Sequence, residues 1–90
     1  PRDVDTVLIM SLDGEFEKAK NKLLDIMLNN GLGGLDMIKQ IQSEVSKLDI
    51  DGKVKMKMIE KCGEIEFRMV EGSDEFVQLE ALLASFGIIQ

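Results

Sequence analysis

The chain of 90 residues has a formal net charge of −6, from 17 acidic and 11 basic residues, and contains one cysteine and no histidine. Without histidine it cannot form the Ser-His or Cys-His pairs of nucleophilic enzymes or the usual zinc sites, and one cysteine cannot form an internal disulfide. The acidic balance argues against general binding to nucleic-acid backbones, and apolar runs of at most four residues are too short to cross a membrane.

The beginning of the chain has no features of a secretory leader, because its first residues are polar and no apolar stretch follows a basic start. With a single cysteine, this predicts an intracellular, cytoplasmic protein without a membrane partner. The length allows one domain, and a core of this size is marginally stable unless the domain also associates with others. A proline as first residue is compatible with a domain excised from a longer protein.

Glycine-containing turns divide the chain into five segments with helical periodicity, over residues 3–13, 15–30, 35–48, 53–71 and 74–89. Each of the first three segments has one apolar side: Val4, Val7, Leu8 and Leu12, then Phe16, Ala19, Leu23, Ile26 and Met27, then Ile38, Ile41, Val45 and Leu48. After the second segment, Gly31 can adopt a left-handed cap and Leu32 can fold back onto the last turn. The sequence therefore predicts an all-α bundle of five helices.

The fourth segment is ambiguous at its start, because Lys53–Met58 alternates polar and apolar residues as a β-strand does. A lone strand has no pairing partner, and from Met58 onward the spacing is helical, so we predict one helix throughout. Cys62 lies on the apolar side and is predicted to be a buried, inert thiol. Gly63 shares a face with Ile59, which predicts a close helix crossing at that point.

The fifth segment is apolar nearly all round beyond Glu80, and Ser73 is its predicted N-cap. Its apolar residues form two stripes, Phe76, Leu79, Leu83 and Phe86 in one and Val77, Ala81, Ala84 and Ile88 in the other. Such a helix is either central in a core or lies at an interface. Because a chain of 90 residues has little core to surround it, we predict an interface on this segment.

Four stretches of the sequence carry a family resemblance: Gly14–Lys20, Asn29–Leu32, Gly63–Gly72 and Gln78–Ala84. In this order they resemble the C-terminal helical domain of the small subunit of replication factor C, especially its archaeal form. The resemblance covers essentially the whole chain. One departure is Ile65, where the family pattern has an aromatic residue. This change replaces one apolar core residue by another and does not weaken the resemblance.

The resemblance implies a domain that holds together a clamp loader, an AAA+ ATPase that places a sliding clamp on primer-template DNA. In that family the C-terminal domains of small and large subunits form a collar, whereas ATP, Mg²⁺, the clamp and most DNA are bound by ATPase and lid domains. This chain resembles only the collar domain and has no Gly-x-x-x-x-Gly-Lys-Ser/Thr loop. We therefore expect a non-catalytic domain without its own cofactor or metal, whose partners are further copies and the other loader subunits.

The residues predicted to form the subunit contact come from the last two segments: Arg68, Phe76, Gln78, Leu79, Leu82, Leu83 and Phe86. Some of them must belong to the core, because sequence alone cannot separate core from interface on a helix that is apolar all round. Arg68 and Gln78 are placed at the rim, since arginine is enriched at interfaces. Arg68 also stands four residues after Glu64, a favourable spacing for an ion pair.

Two other interpretations remain open from the residues alone. A free-standing helical adaptor that binds a partner peptide in a groove is the alternative function. Lys53, Lys57 and Lys61 align on one helical face and form either a solvated strip or a contact for DNA or an acidic neighbour. Catalysis by paired carboxylates is disfavoured, because no motif places such a pair in a pocket.

Overall fold

The protein is described by a computed structural model that covers residues 2–89. Its five helices are α1 (Arg2–Leu12), α2 (Phe16–Asn30), α3 (Gly34–Lys47), α4 (Gly52–Val70) and α5 (Glu75–Gly87). All bounds lie within two residues of the predicted ones, and no strand occurs over residues 2–89. The all-α prediction is confirmed, including the helical assignment of the ambiguous fourth segment.

The ends of α2 and α4 show why these segments are helical. Gly31 has the predicted left-handed conformation, with φ of 62°, and its N–H and that of Leu32 donate to the Met27 carbonyl oxygen. At the start of α4, the Asp51 carboxylate accepts hydrogen bonds of 3.1 and 3.2 Å from the N–H groups of Lys53 and Val54. This cap stabilises the first turn of a helix at Lys53–Met58, the stretch with alternating polarity, because it satisfies N–H groups that have no partner within the helix.

The predicted N-cap of α5 is wrong by one residue. Asp74, and not Ser73, caps the helix, and its Oδ1 accepts a 2.9 Å hydrogen bond from the N–H of Val77. The N–H of Ser73 instead donates to the Arg68 carbonyl oxygen at 3.0 Å and closes the turn after α4. Ser73 therefore lies in the turn that follows α4, and the next polar residue, Asp74, takes the capping position.

The core lies where α5 packs against each of the other four helices. The predicted apolar sides of α1, α2 and α3 point into this core, although Phe16 and Leu48 are only half-buried at its edge. From α4 the core receives Met58, Cys62, Ile65 and Met69. From α5 it receives Leu79, Leu82, Leu83 and Phe86.

The close approach predicted at Gly63 does not occur. Gly63 is exposed, and a Cβ added there would meet nothing within 4 Å. The close approach lies instead at Gly34, at the start of α3, where an added Cβ would lie 2.6 Å from the Cβ of Glu75. The spacing of Gly63 and Ile59 correctly placed them on one side of α4, but the neighbouring helices pack against its other side.

Candidate subunit interface

The structure divides the seven predicted contact residues into two groups. Four of them are at most 1 % exposed and form part of the domain's own core: Leu79, Leu82, Leu83 and Phe86. Because one side of α5 packs against all four other helices, these side chains are covered, and only Leu79 also contributes to the base of a surface groove. Their burial stabilises the fold of the single chain.

The other three predicted contact residues reach the surface to different extents. Phe76 is 52 % exposed and Arg68 is exposed, so both are accessible to a partner. Gln78 is half-buried, and its Oε1 atom is buried with no hydrogen-bond partner among residues 2–89. Glu64 pairs with Lys61 at 3.1 Å, and no ion pair between Glu64 and Arg68 occurs among residues 2–89.

The second stripe predicted on α5 is exposed along its whole length. We call it the α5 outer face, and it consists of Val77, Ala81, Ala84 and Ile88, of which Ile88 is 85 % exposed. At about 100° of rotation per residue, this stripe lies opposite the core-facing side of α5. The helix is therefore apolar on two opposite sides, and the fold of this chain covers only one of them.

A second apolar surface, which the sequence analysis missed, lies on α4. We call it the α4 outer face, and it consists of Met56, Ile59, Gly63, Phe67 and Val70, all exposed. The signal was present in the spacing of three, four, four and three residues, which places these positions on one side of a helix. It was overlooked because Met58, Cys62 and Met69 already supplied an apolar side for the core.

The two outer faces differ in side-chain size and in charge. The α4 outer face has bulky side chains, and Lys53, Lys57 and Glu60 border Met56 at one end. Lys39 of α3 lies beside Ile59 in the shallow groove between α3 and α4. The α5 outer face is flat at its centre, where two alanines lie, and the only charged residues of α5 are Glu75 and Glu80.

A concave groove between α2 and α5 is the third surface feature of interest. It is lined by Lys20, Leu23, Leu24, Phe76, Leu79 and Glu80. The Lys20 ammonium lies 5.8 Å from the centre of the Phe16 ring and 3.3 Å from a carboxylate oxygen of Glu17. The groove is therefore apolar at its base, with one positive and one negative side chain at its margin.

A pair of carboxyl groups couples α1 to α3 away from these surfaces. A hydrogen bond with Glu44 raises the pKa of Asp5 above its ordinary value of 3.8, and burial and the negative charge of Glu44 act in the same direction. The same hydrogen bond lowers the pKa of Glu44, helped by the charge of Lys47, whose Nζ lies 3.6 Å from Oε1 of Glu44. Of the two carboxyl groups, Asp5 is therefore the one that gives up its proton at the higher pH.

Within residues 2–89, no group of three or more Cys, Asp and Glu side chains is arranged to hold a metal ion. No helix of that part of the chain is long and apolar enough to cross a bilayer.

The chain belongs to the family of the replication factor C C-terminal domain, whose family model matches residues 1–85. It is 44% identical over 89 residues to the replication factor C small subunit of Pyrococcus horikoshii, covering 99% of this chain and 10% of that protein. It is 46% identical over 89 residues to the same subunit of Thermococcus kodakarensis, with the same coverage. The small subunit of Methanococcus maripaludis strain C5 is 41% identical over 90 residues, which are all of this chain and 29% of that protein.

These relatives confirm the family resemblance seen in the sequence, including its archaeal character. The chain spans between a tenth and a third of the length of these curated relatives.

Proposed function

We propose that this domain joins the small subunit of a clamp loader to neighbouring small and large subunits during DNA replication. The observation that carries the proposal is the presence of two exposed apolar faces on a domain whose core is already complete. Large side chains such as Phe67, which is 64% exposed, are unfavourable in water and mark interaction surfaces when they form a continuous patch. A partner can cover both faces without disturbing any core contact.

The contact residues proposed from the sequence are revised accordingly. Arg68 and Phe76 remain candidates, because both are exposed near an outer face or the α2–α5 groove. The α4 and α5 outer faces replace the four core leucine and phenylalanine residues as the main apolar contact. Gln78 is a weaker candidate, because its unpaired oxygen is buried beneath the surface of the single chain.

The activity of a whole loader would reside in other parts of the longer subunits. ATP and Mg²⁺ binding, opening of the sliding clamp and contact with primer-template DNA are assigned to the ATPase and lid domains that the family resemblance implies. The exposed Lys53 and Lys57 are better suited to an acidic neighbouring subunit than to DNA, given the net charge of −6.

A peptide-binding adaptor is the second candidate function, and the α2–α5 groove is the observation that favours it. An apolar base with charged margins can accept one or two apolar side chains of a partner helix. This function predicts a monomer at every concentration, and Leu24→Glu in the groove would abolish binding of the partner.

The two functions are separated by the mass of the chain in solution from micromolar to millimolar concentration. The assembly function predicts a mass that rises above 10.1 kDa with concentration. Phe67→Glu should return it to the single-chain mass, whereas Leu24→Glu should leave the assembly unchanged. A mass that stays at 10.1 kDa at millimolar concentration would contradict association through this domain alone.

A further inference from the structure

We propose that the α2–α5 groove binds a basic amphipathic helix of another protein, which inserts one large apolar side chain into the groove and places a lysine or arginine against Glu80. This inference rests on the second candidate function, peptide binding, and specifies the chemistry of the partner. It does not depend on association between subunits, because α4 contributes no residue to the groove.

The size of the groove defines the apolar part of the partner. Its volume is about 190 Å³. An apolar cavity of about 150 Å³ is enough to hold a benzene molecule, so the groove can accept one side chain as large as phenylalanine, leucine or methionine. Leu23 and Leu79 form its buried base, whereas Leu24 is half-buried and Phe76 is 52% exposed. An apolar side chain of a partner would therefore cover surface that this chain leaves in contact with water.

Glu80 at the margin of the groove carries a charge without a counterpart. It is half-buried beside the apolar base, and it makes no hydrogen bond or ion pair with any residue from 2 to 89. Positions 76, 77, 83 and 84, one turn away on α5, hold no lysine or arginine. A partly buried carboxylate is stabilised strongly by a cation that also donates a hydrogen bond, and a basic side chain of the partner would supply both.

The lysines of α2 do not compensate this charge. Lys20 also lines the groove, but its Nζ lies 3.3 Å from a carboxylate oxygen of Glu17. The two other lysines of α2 each have an acidic partner as well, at 3.0 and 3.6 Å. Among residues 2–89, the uncompensated charge that lines the groove is therefore negative. It has the same sign as the net charge of −6 on the whole chain, and both favour a basic partner over an acidic one.

The position of the groove between two helices favours a helical partner. Its lining residues are spaced three and four apart on each helix, at positions 20, 23 and 24 of α2 and 76, 79 and 80 of α5. A helix that lies in such a groove presents side chains one turn apart on the same side. A partner residue that fills the groove can thus be joined by a basic residue, one turn away, that reaches Glu80.

The test uses three fluorescein-labelled model helices of about 15 residues, rich in alanine. The first has one central phenylalanine and lysines one helical turn before and after it. The second has glutamates in place of the lysines, and the third has alanine in place of the phenylalanine. Fluorescence anisotropy at low salt measures the Kd of each peptide for the chain. We expect the first peptide to bind roughly tenfold or more tightly than the other two, because only this peptide supplies both the apolar side chain and the cation.

Variants of the chain locate the contact. Leu24→Glu should weaken binding of the lysine peptide roughly tenfold or more, and so should Phe76→Ala, which changes an exposed residue and keeps the test valid if Leu24→Glu unfolds. Glu80→Lys should reverse the preference, so that the glutamate peptide binds more tightly than the lysine peptide.

The matched controls carry the same kinds of change outside the groove. Ile9→Glu places a carboxylate at an exposed apolar position of α1, and Asp25→Lys reverses a charge on the exposed side of α2. Both should bind the lysine peptide like the unchanged chain, and circular dichroism checks that every variant folds.

The outcomes separate this inference from the peptide-binding function on which it rests. If the lysine and glutamate peptides bind equally, peptide binding stands and the basic partner is wrong. If none of the peptides binds more tightly to the unchanged chain than to Phe76→Ala, peptide binding itself fails. If Leu24→Glu instead prevents the chain from associating with itself, a second copy occupies the groove and the inference is overturned.

Discussion

The backbone N–H of Gly34 donates a 2.9 Å hydrogen bond to Oε1 of Glu75 and joins the first turns of α3 and α5 across 41 positions of sequence. The carboxylate satisfies an N–H group that has no partner within α3, and it places a negative charge at the positive end of that helix. The fit is close, because a Cβ on residue 34 would lie 2.8 Å from the same oxygen. The hydrogen bond with Glu75 therefore requires a residue without a Cβ at position 34.

Gly34→Ala should destabilise the domain by about 1–3 kcal/mol, because the added methyl group would force Glu75 and α5 away from α3. Gly63→Ala is the matched control, since it also lies within a helix but meets open space. That variant should be neutral or stabilised by up to about 1 kcal/mol. Urea unfolding at micromolar concentration measures both, and equal effects of the two substitutions would contradict the close packing at Gly34.

Removal of the Glu75 carboxylate should weaken the same junction. Glu75→Ala leaves the Gly34 N–H without its acceptor and should cost about 1–3 kcal/mol of unfolding free energy. Glu75→Gln keeps a carbonyl oxygen and should recover much of that loss. If both variants unfolded at the same urea concentration as the unchanged chain, the hydrogen bond would contribute nothing to stability.

The N-cap of α5 can be tested by comparing the stability of variants at the two adjacent residues Ser73 and Asp74. Asp74→Ala removes the acceptor of the Val77 N–H and should lower stability by about 0.5–2 kcal/mol. Ser73→Ala should change stability little, because Ser73 contributes its backbone N–H and not its side chain to the turn. Thermal unfolding of the two variants side by side checks the assignment, and a larger loss in Ser73→Ala would restore the cap predicted from sequence.

The Asp5–Glu44 pair predicts a specific dependence of stability on pH. Because the pKa of Asp5 is raised by folding, ionisation of Asp5 reduces stability as the pH rises through that pKa. Because the pKa of Glu44 is lowered, its contribution is present above its ordinary pKa and is lost as the pH falls through the lowered one. The two carboxyl groups therefore act in opposite directions.

Asp5→Asn should raise the melting temperature near neutral pH, since an amide donates a hydrogen bond to Glu44 without adding a second negative charge. The gain should shrink in acid, below the raised pKa of Asp5, where the unchanged side chain is itself protonated. Asp3→Asn is the control, because it removes only the exposed pair with Lys22 at 3.6 Å. A gain that is independent of pH would show that the proton on Asp5 has no part in it.

Cys62 should be chemically inert in the folded domain. Its side chain is fully buried on α4, and burial raises the pKa of the thiol to about 12, so almost no thiolate forms near neutral pH. Labelling by a thiol reagent should therefore follow global unfolding and speed up with added urea. An introduced cysteine at the exposed position 21 should react at once in the same protein, and equally rapid labelling of Cys62 would contradict its burial.

The features that the sequence predicted correctly depend on the spacing of apolar residues within each helix and on the residues that cap the helix ends. The five helices, the buried sides of α1, α2 and α3, and the left-handed cap at Gly31 all follow from contacts within a few residues along the chain. The buried thiol of Cys62 was also predictable, because its spacing from Met58 and Met69 is helical. The family resemblance came from the order of short local stretches and was confirmed for residues 1–85.

The tertiary structure alone decided which apolar surfaces are covered. Helical periodicity gives α5 two opposite apolar stripes, but only the arrangement of the other four helices determines that Leu82 is buried and Val77 exposed. The same holds for α4, whose outer face follows the helical rule as well as its inner one. The contact of Gly34 with Glu75 spans 41 positions, and no local rule predicts it. Side-chain spacing fixes the relative orientation of residues on one helix, whereas burial depends on long-range packing between helices.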